Sequence, residues 1–376
     1  MTMDGSVVLP EEFGGEFVTE PVLPGFGGCG VPLRSHWASF EYLLWWRKGQ
    51  SLPPLVTTSP DDTPQEEAGV LGFPDTFVLF GDDTEAQGAR PGGRLVVGLA
   101  LDPLGYYALE GRFFSLGESA MSYSAASDGS PILARPFLDD VSGDQASLLL
   151  AYPDFTTHGV VSVTSQSDVQ GGSVLYRWCV NRAGLGTWDL VGSYEFSRID
   201  ENLTIAHSTE AVDIPTVTPG TVFQVRDEFD TTNEFHGGAI GLAYQQRVPG
   251  WNLEVLGKIA FGNMHEVVTV SGQTVITVPP DPPDPPTSEG LLAQGVNVGS
   301  RSQDSFAVVP EISANLVHAI SPWCDVRVGY TCVYWSRVAQ PADQIDPELR
   351  VPTTQFAIQE SAYWVQGFNF GAELRF

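Results

Sequence analysis

The residues able to do chemistry in this chain are its ionised side chains, and their spacing is the first clue. Glu110 and Arg112, Asp325 and Arg327, and Glu373 and Arg375 are pairs two residues apart. Glu41, Arg94, Arg177, Glu195, Glu254, Lys258 and Glu311 stand singly, each flanked on both sides by uncharged, mostly apolar residues. A spacing of two places such residues on one face of a strand. Charges of both signs on one enclosed face suit electrostatic selection along a water-filled path, or pairing across a narrow bore; neither makes or breaks covalent bonds.

Bond-making chemistry finds little support. The six histidines are His36, His158, His207, His236, His265 and His318. His158 near Asp154, His207 near Glu210, and His236 near Asp230 and Glu234 are the only groupings that a folded rim would bring together, and no GxSxG elbow or triad spacing accompanies them. Acidic doublets such as Asp61-Asp62 and Glu66-Glu67 match no calcium-loop pattern. The expectation is therefore no enzymatic activity, no catalytic residue, no cofactor and no specific metal site.

The elements that must position the charges are strands. From Ala38 the even positions are Ala38, Phe40, Tyr42, Leu44 and Trp46, while odd positions carry Ser39, Glu41 and Arg47 with Leu43 and Trp45 among them. The same alternation recurs over 94–101, 105–115, 173–180, 187–200, 238–247, 251–261, 305–318, 325–336 and 362–376. Short connections (102–104, 181–186, 248–250, 319–322) alternate with long ones at about 48–92, 116–171, 206–220, 272–303 and 337–360. This predicts an all-β, transmembrane, up-and-down antiparallel barrel over 36–376, with short periplasmic turns and long extracellular loops. It has about ten strands, or twelve if 160–166 or 264–270 pair independently. Residues 1–35, rich in Gly, Pro and Glu, read as an irregular lead-in, a plug or periplasmic segment.

Composition agrees. The 376 residues include 18 Lys+Arg and 46 Asp+Glu, a net charge of −28, which leaves no basic surface for nucleic acid. Only 17% of residues are charged, while 40 Gly and 28 Pro sit beside 11% aromatics, too apolar for disorder and too Gly-rich for helices. No apolar run reaches the length of a membrane helix, and Met1-Thr2-Met3-Asp4 opens no visible signal peptide. A soluble β-sandwich would also alternate. Three features favour lipid: both signs of charge on the polar faces, Trp and Tyr near strand ends (Trp46, Tyr106, Tyr107, Trp188, Trp251, Trp323, Trp335, Trp364), and an alternating last strand ending in Phe376, the expected signal for the barrel-insertion machinery.

Several stretches carry a family resemblance: Trp37 to Trp46, Gly69-Val70-Leu71-Gly72 with Val78-Leu79-Phe80-Gly81, Gly257 to His265, Gly290 to Gln294, Phe306 to Glu311, and Phe368-Asn369-Phe370-Gly371. Together they make the chain, over roughly 37–376, similar to the outer-membrane β-barrel porin family expanded in planctomycete-type bacteria. The resemblance implies a cell outer-membrane location and a porin-like role, without a known substrate or catalytic residues. The expected function is passive diffusion of small hydrophilic solutes or ions. Glu41, Arg94, Glu110, Arg112, Arg177, Glu195, Glu254, Lys258, Glu311, Arg327, Glu373 and Arg375 would line the path, and outer-membrane lipid and the insertion machinery would be the partners. The rival expectation is a non-conducting barrel acting through its long acidic loops.

Overall fold

The computed structural model describes residues 36–82, 84–85, 88–139, 142–183, 186–345 and 357–376; the lead-in over 1–35 lies outside them. Ten long strands form a closed barrel: β1 (His36–Arg47), β2 (Arg90–Ala100), β3 (Tyr107–Ser127), β4 (Thr156–Ala183), β5 (Gly186–Ala211), β6 (Val222–Val248), β7 (Trp251–Thr277), β8 (Gly299–Ser321), β9 (Cys324–Ala339) and β10 (Glu360–Arg375). Each pairs antiparallel with its neighbour in sequence, and β1 closes on β10 from Trp37 opposite Arg375 to Arg47 opposite Val365. The segments 160–166 and 264–270 are upper stretches of β4 and β7, not added strands. Closure gives every strand two ladder partners, which hydrocarbon demands because it offers backbone groups none.

Alternation sets the two faces. Phe40, Leu95, Phe113, Tyr176, Trp188, Leu242, Phe261 and Phe368 are exposed on the outside, with Ile240 at 68% and Phe306 at 65%, whereas Glu41 is 2% exposed on the inside. Interior space is tight enough to demand glycine opposite large rings: a Cβ at Gly98 would lie 2.1 Å from the Trp37 ring. Trp335, expected at an interface, instead points inward and donates to Ser197 Oγ at 2.8 Å.

The strands outrun the membrane. β4 to β7 hold 28, 26, 27 and 27 residues. At about 3.3 Å per residue and a tilt near 40°, such a wall rises roughly 65–70 Å, against an apolar band of about 25 Å. The excess stands on the long-loop side, where the parity of the alternation reverses. On β5 the large apolar residues are Trp188, Leu190, Tyr194 and Phe196 outside, with Val191 inside among them, then Ile199, Leu203 and Ile205 inside. β4 switches from Val174, Tyr176 and Trp178 outside to Val161, Val163 and Val169 inside, and β6 from Ile240 and Leu242 outside to Phe229 and Phe235 inside. The first polar outer row runs across five strands as Gln170, Arg198, Glu234, His265 and Asp304. Lipid below and water above explain the switch: apolar side chains face outward in hydrocarbon and inward above it. For the same reason much of the loops expected over 116–171 and 206–220 is strand, since β3 continues to Ser127, β4 begins at Thr156, and the hairpin tip between β5 and β6 spans only 212–221.

The upper lumen is filled by the chain's own loops. A four-stranded sheet runs in the order Phe77–Phe80, Val56–Thr58, Leu133–Leu138, Gln145–Ala151. Its Leu133 and Leu150 join Leu52, Leu55, Leu292, Ala342 and Ile345 in an apolar cluster with wall residues Leu203, Phe229 and Val268. Asp227 on β6 ties two loops to the wall: it pairs with Arg135 at 2.9 Å and accepts the N–H groups of Leu292 and Ala293 at 2.8 and 2.9 Å. Arg135 also donates to His207 Nδ1 at 2.9 Å, so that nitrogen must be unprotonated. Burial, with the Arg135 charge adding, pushes His207 down to about 3.

Three outcomes follow. Asp227→Asn leaves Arg135 a buried, uncompensated cation, a loss of about 3–5 kcal/mol; hydrogen exchange should then rise in both 133–151 and 289–293. His207 released from the plug takes a proton near 6.5, while the buried ring resists until about 3. Its contribution to plug stability is therefore intact above about 6.5 and is lost progressively as pH falls toward 3. Exchange of 133–151, corrected for intrinsic rate, should be faster at pH 5 than at pH 7.5, and His207→Gln should abolish the difference. On the outer face, Ile240→Arg should destabilise refolding into vesicles by about 2–4 kcal/mol, whereas Thr232→Arg, above the belt, should cost about 0–1.

Candidate pore interior

At the level of the apolar belt each lipid-facing residue forces its neighbour inward, and the inner face is largely ionic, with Leu175, Val191, Ala243 and Leu256 clustered among the charges. All twelve candidate side chains lie on that face, each in contact with at least one other. Arg327 reaches Glu254 at 2.5 Å, Glu373 at 3.3 Å and Glu41 at 3.4 Å. Arg94 holds Glu41 through two nitrogens and Thr331 Oγ1 at 3.3 Å. Glu110 lies between Arg112 at 2.9 Å and Arg177 at 2.7 Å. Lys258 joins Glu195 at 2.7 Å and Glu311 at 3.0 Å, and Arg375 contacts Glu373 at 3.0 Å.

Two residues outside the candidate set complete the network. Asp325 pairs with Arg375 at 2.7 Å and Asp189 with Arg177 at 3.5 Å. Both stand between apolar neighbours, as the rest do, and Asp325 is also two residues from Arg327. Among the described residues the stratum thus holds eight carboxylates (Glu41, Glu110, Asp189, Glu195, Glu254, Glu311, Asp325, Glu373) against six cations (Arg94, Arg112, Arg177, Lys258, Arg327, Arg375). Cavities of about 60 and 50 Å³ remain among them, room for a few waters.

A dry stratum lies directly above. Leu43, Trp45, Leu116, Val169, Ile199, Phe235, Met264, Trp335, Tyr363 and Val365 pack there. All are borne by the wall, so wall side chains themselves pack together at this level. Trp45 is fixed by donating to Asn369 Oδ1 at 2.8 Å, and its ring lies 5.4 Å from that of Phe114. One further ion pair, Arg47 with Glu201 at 2.5 Å, is fully buried on the interior positions that follow Trp45 and Ile199. Still higher, Glu266 accepts from Gln303 at 2.7 Å. Burial, reinforced by the nearby Glu360 carboxylate, pushes Glu266 up to about 7.

The histidines do not assemble into one site. His158 meets Glu210 at 3.1 Å on the exposed rim, His207 is buried on Arg135, and His236 contacts Tyr194 Oη at 2.6 Å on the outer wall. His265 sits with Asp304 at 3.0 Å, also outside. Among the described residues no group of three or more His, Cys, Asp or Glu is placed to hold a metal ion. Phe376 extends the closing ladder, its N–H donating to His36 O at 3.0 Å, with its ring exposed.

Three solved structures match this chain over most of their length. The outer membrane protease OmpT from Escherichia coli matches at 8% identity and a TM-score of 0.43, covering 91% of this chain and 97% of that one. The toluene transporter TodX from Pseudomonas putida matches at 6% identity and 0.26, covering 91% and 89%. The CymD monoaromatic hydrocarbon channel matches at 8% and 0.23, covering 91% and 88%. The expectation of no enzymatic activity is corrected here: one match is to a protein named a protease, so the absence of an activity is not stated of this chain. At 8% identity the likeness assigns no activity to this chain either. No curated protein matches it. Over residues 37–376 the sequence matches the family described as "Putative beta barrel porin-7 (BBP7)". That match and the lipid-facing belt indicate the outer membrane, and the chain belongs to this family of β-barrel porins.

Proposed function

We propose that the barrel passes small hydrophilic ions passively, cations ahead of anions, along the interior lined by Glu41, Arg94, Glu110, Arg112, Arg177, Glu195, Glu254, Lys258, Glu311, Arg327, Glu373 and Arg375, and that the conformation described is the closed one. The observation that carries this reading is the ionic stratum itself. Burying charges is costly, and apolar side chains of similar volume seal a bore as well or better. A wall that keeps fourteen charges around small wet cavities, with two carboxylates in excess, suits the passage of cations. Opening requires the ring side chains of the dry stratum, Trp45, Trp335 and Tyr363, to swing aside. Outer-membrane lipid is the solvent of the belt in this reading, and Phe376 the residue met by the insertion machinery.

The same dry stratum, together with the loop plug, favours a second reading: a barrel that never conducts and acts through its loops.

Purified barrel in a planar bilayer separates the two. Small, intermittent, cation-selective steps are expected. Glu254→Gln should lower the cation-to-anion permeability ratio and Arg177→Gln should raise it. Trp335→Ala should raise the open fraction several-fold. A silent bilayer containing folded barrel, with Trp335→Ala silent as well, would support the second reading. Deleting Phe376 should reduce assembly into the outer membrane while leaving refolding in detergent unaffected.

A further inference from the structure

The four-stranded loop sheet has two very different edges. Its Gln145–Ala151 edge is docked on the barrel wall: Leu150 and Ala151 are fully buried, and Thr209 Oγ1 of β5 donates to Leu150 O at 2.5 Å. The opposite edge, Phe77–Phe80, has no ladder partner on its outer side among the described residues. Phe80 anchors it by stacking on Tyr123 at 4.8 Å. The next three residues are left out: Phe77 is 58% exposed, Leu79 is 41% exposed, and Val78 is exposed between them. A bulge, in which Val56 opposes Phe80 while Thr57 opposes Val78, leaves Leu79 with no residue opposite it. Phe73 on the preceding turn extends the patch.

Proteins ordinarily blunt such an edge with lysine, proline or a covering loop. Here the sequence on either side of the strand carries the other sign. Residues 49–89 contain Asp61, Asp62, Glu66, Glu67, Asp75, Asp82, Asp83 and Glu85 and no Lys, Arg or His. Asp75 and Asp82 stand two residues from either end of the strand. We infer that the Phe77–Phe80 edge is a docking strand for an extended peptide segment of cationic and apolar composition. Apolar residues of that segment would cover Phe77 and Leu79, its backbone would lie along the open edge, and its positive charges would meet the acidic surround. The inference is independent of ion passage, because the patch lies on the loop sheet and the conducting stratum on the membrane-level wall.

The test uses the full chain in nanodiscs and a fluorescent peptide that alternates Lys and Val, compared with one that alternates Glu and Val. Saturable binding of the Lys peptide is expected, weakening as salt is raised. The doubly substituted Phe77→Thr/Leu79→Thr chain should bind about tenfold more weakly (about 1.4 kcal/mol) while keeping its barrel and its conductance. Thr suits a strand, and both sites are exposed, so the fold is preserved. Equal binding of the Glu peptide, unchanged binding by the double variant, or no saturable binding would overturn the inference. So would a concentration-dependent dimer, lost in the double variant, in a chain that binds neither peptide: the occupant would then be a second copy.

Discussion

Hydrocarbon offers a strand no hydrogen-bond partner, and most features of this molecule follow from that. Ten strands must close into a ring so that no edge is left, and closure fixes an inside and an outside. Once Phe40, Leu95, Ile240 and Phe306 are committed to lipid, their neighbours Glu41, Arg94, Ala239 and Ala307 can only point into the bore. The ionic interior at membrane level is therefore the other half of the same alternation. Its members are largely buried, so they pair with one another: Arg327 contacts three carboxylates, and Lys258 lies between two.

Above the belt the same strands obey the opposite rule. Water surrounds the outer wall, so the apolar parity reverses and the lumen becomes a conventional dry core built from Leu203, Phe229, Val268 and the loop residues packed on them. One chain thus contains two solvents' worth of design on a single set of strands. The junction is sharp, lying between Phe196 and Ile199 on β5 and between Phe261 and Met264 on β7. Asp227 sits on the water side of that junction, where a buried carboxylate with one cation and two N–H donors can hold two loops at once.

The belt was legible in sequence because period two with an unbroken apolar face survives in any strand that crosses lipid. The barrel, its ten strands and the inward placement of residues such as Arg177 and Glu254 follow from it. The upper wall was harder to read. Segments such as Asp227–Asn233 keep period two, but polar residues dominate the outer face and the inner face mixes Asp227 with Phe229 and Thr231, so the signal resembles a loop. Trp335 looked interfacial because an aromatic near a strand end is ambiguous until the strand's phase is known. The partners of Asp227 depend on where two distant loops pack, which no local pattern encodes. The reading of no enzymatic activity rested on missing motifs, and a barrel fold cannot support it.

The account stands on which side of the wall meets lipid. Brominated acyl chains quench only tryptophans in contact with hydrocarbon, and single Trp→Phe substitutions reveal which ones those are. Trp188 and Trp178 face outward and Trp45 and Trp335 inward. Replacing either of the first pair should lower the quenchable fraction of fluorescence, and replacing either of the second should raise it. The reverse pattern, with Trp45 and Trp335 supplying the quenched signal, would contradict the architecture at its base.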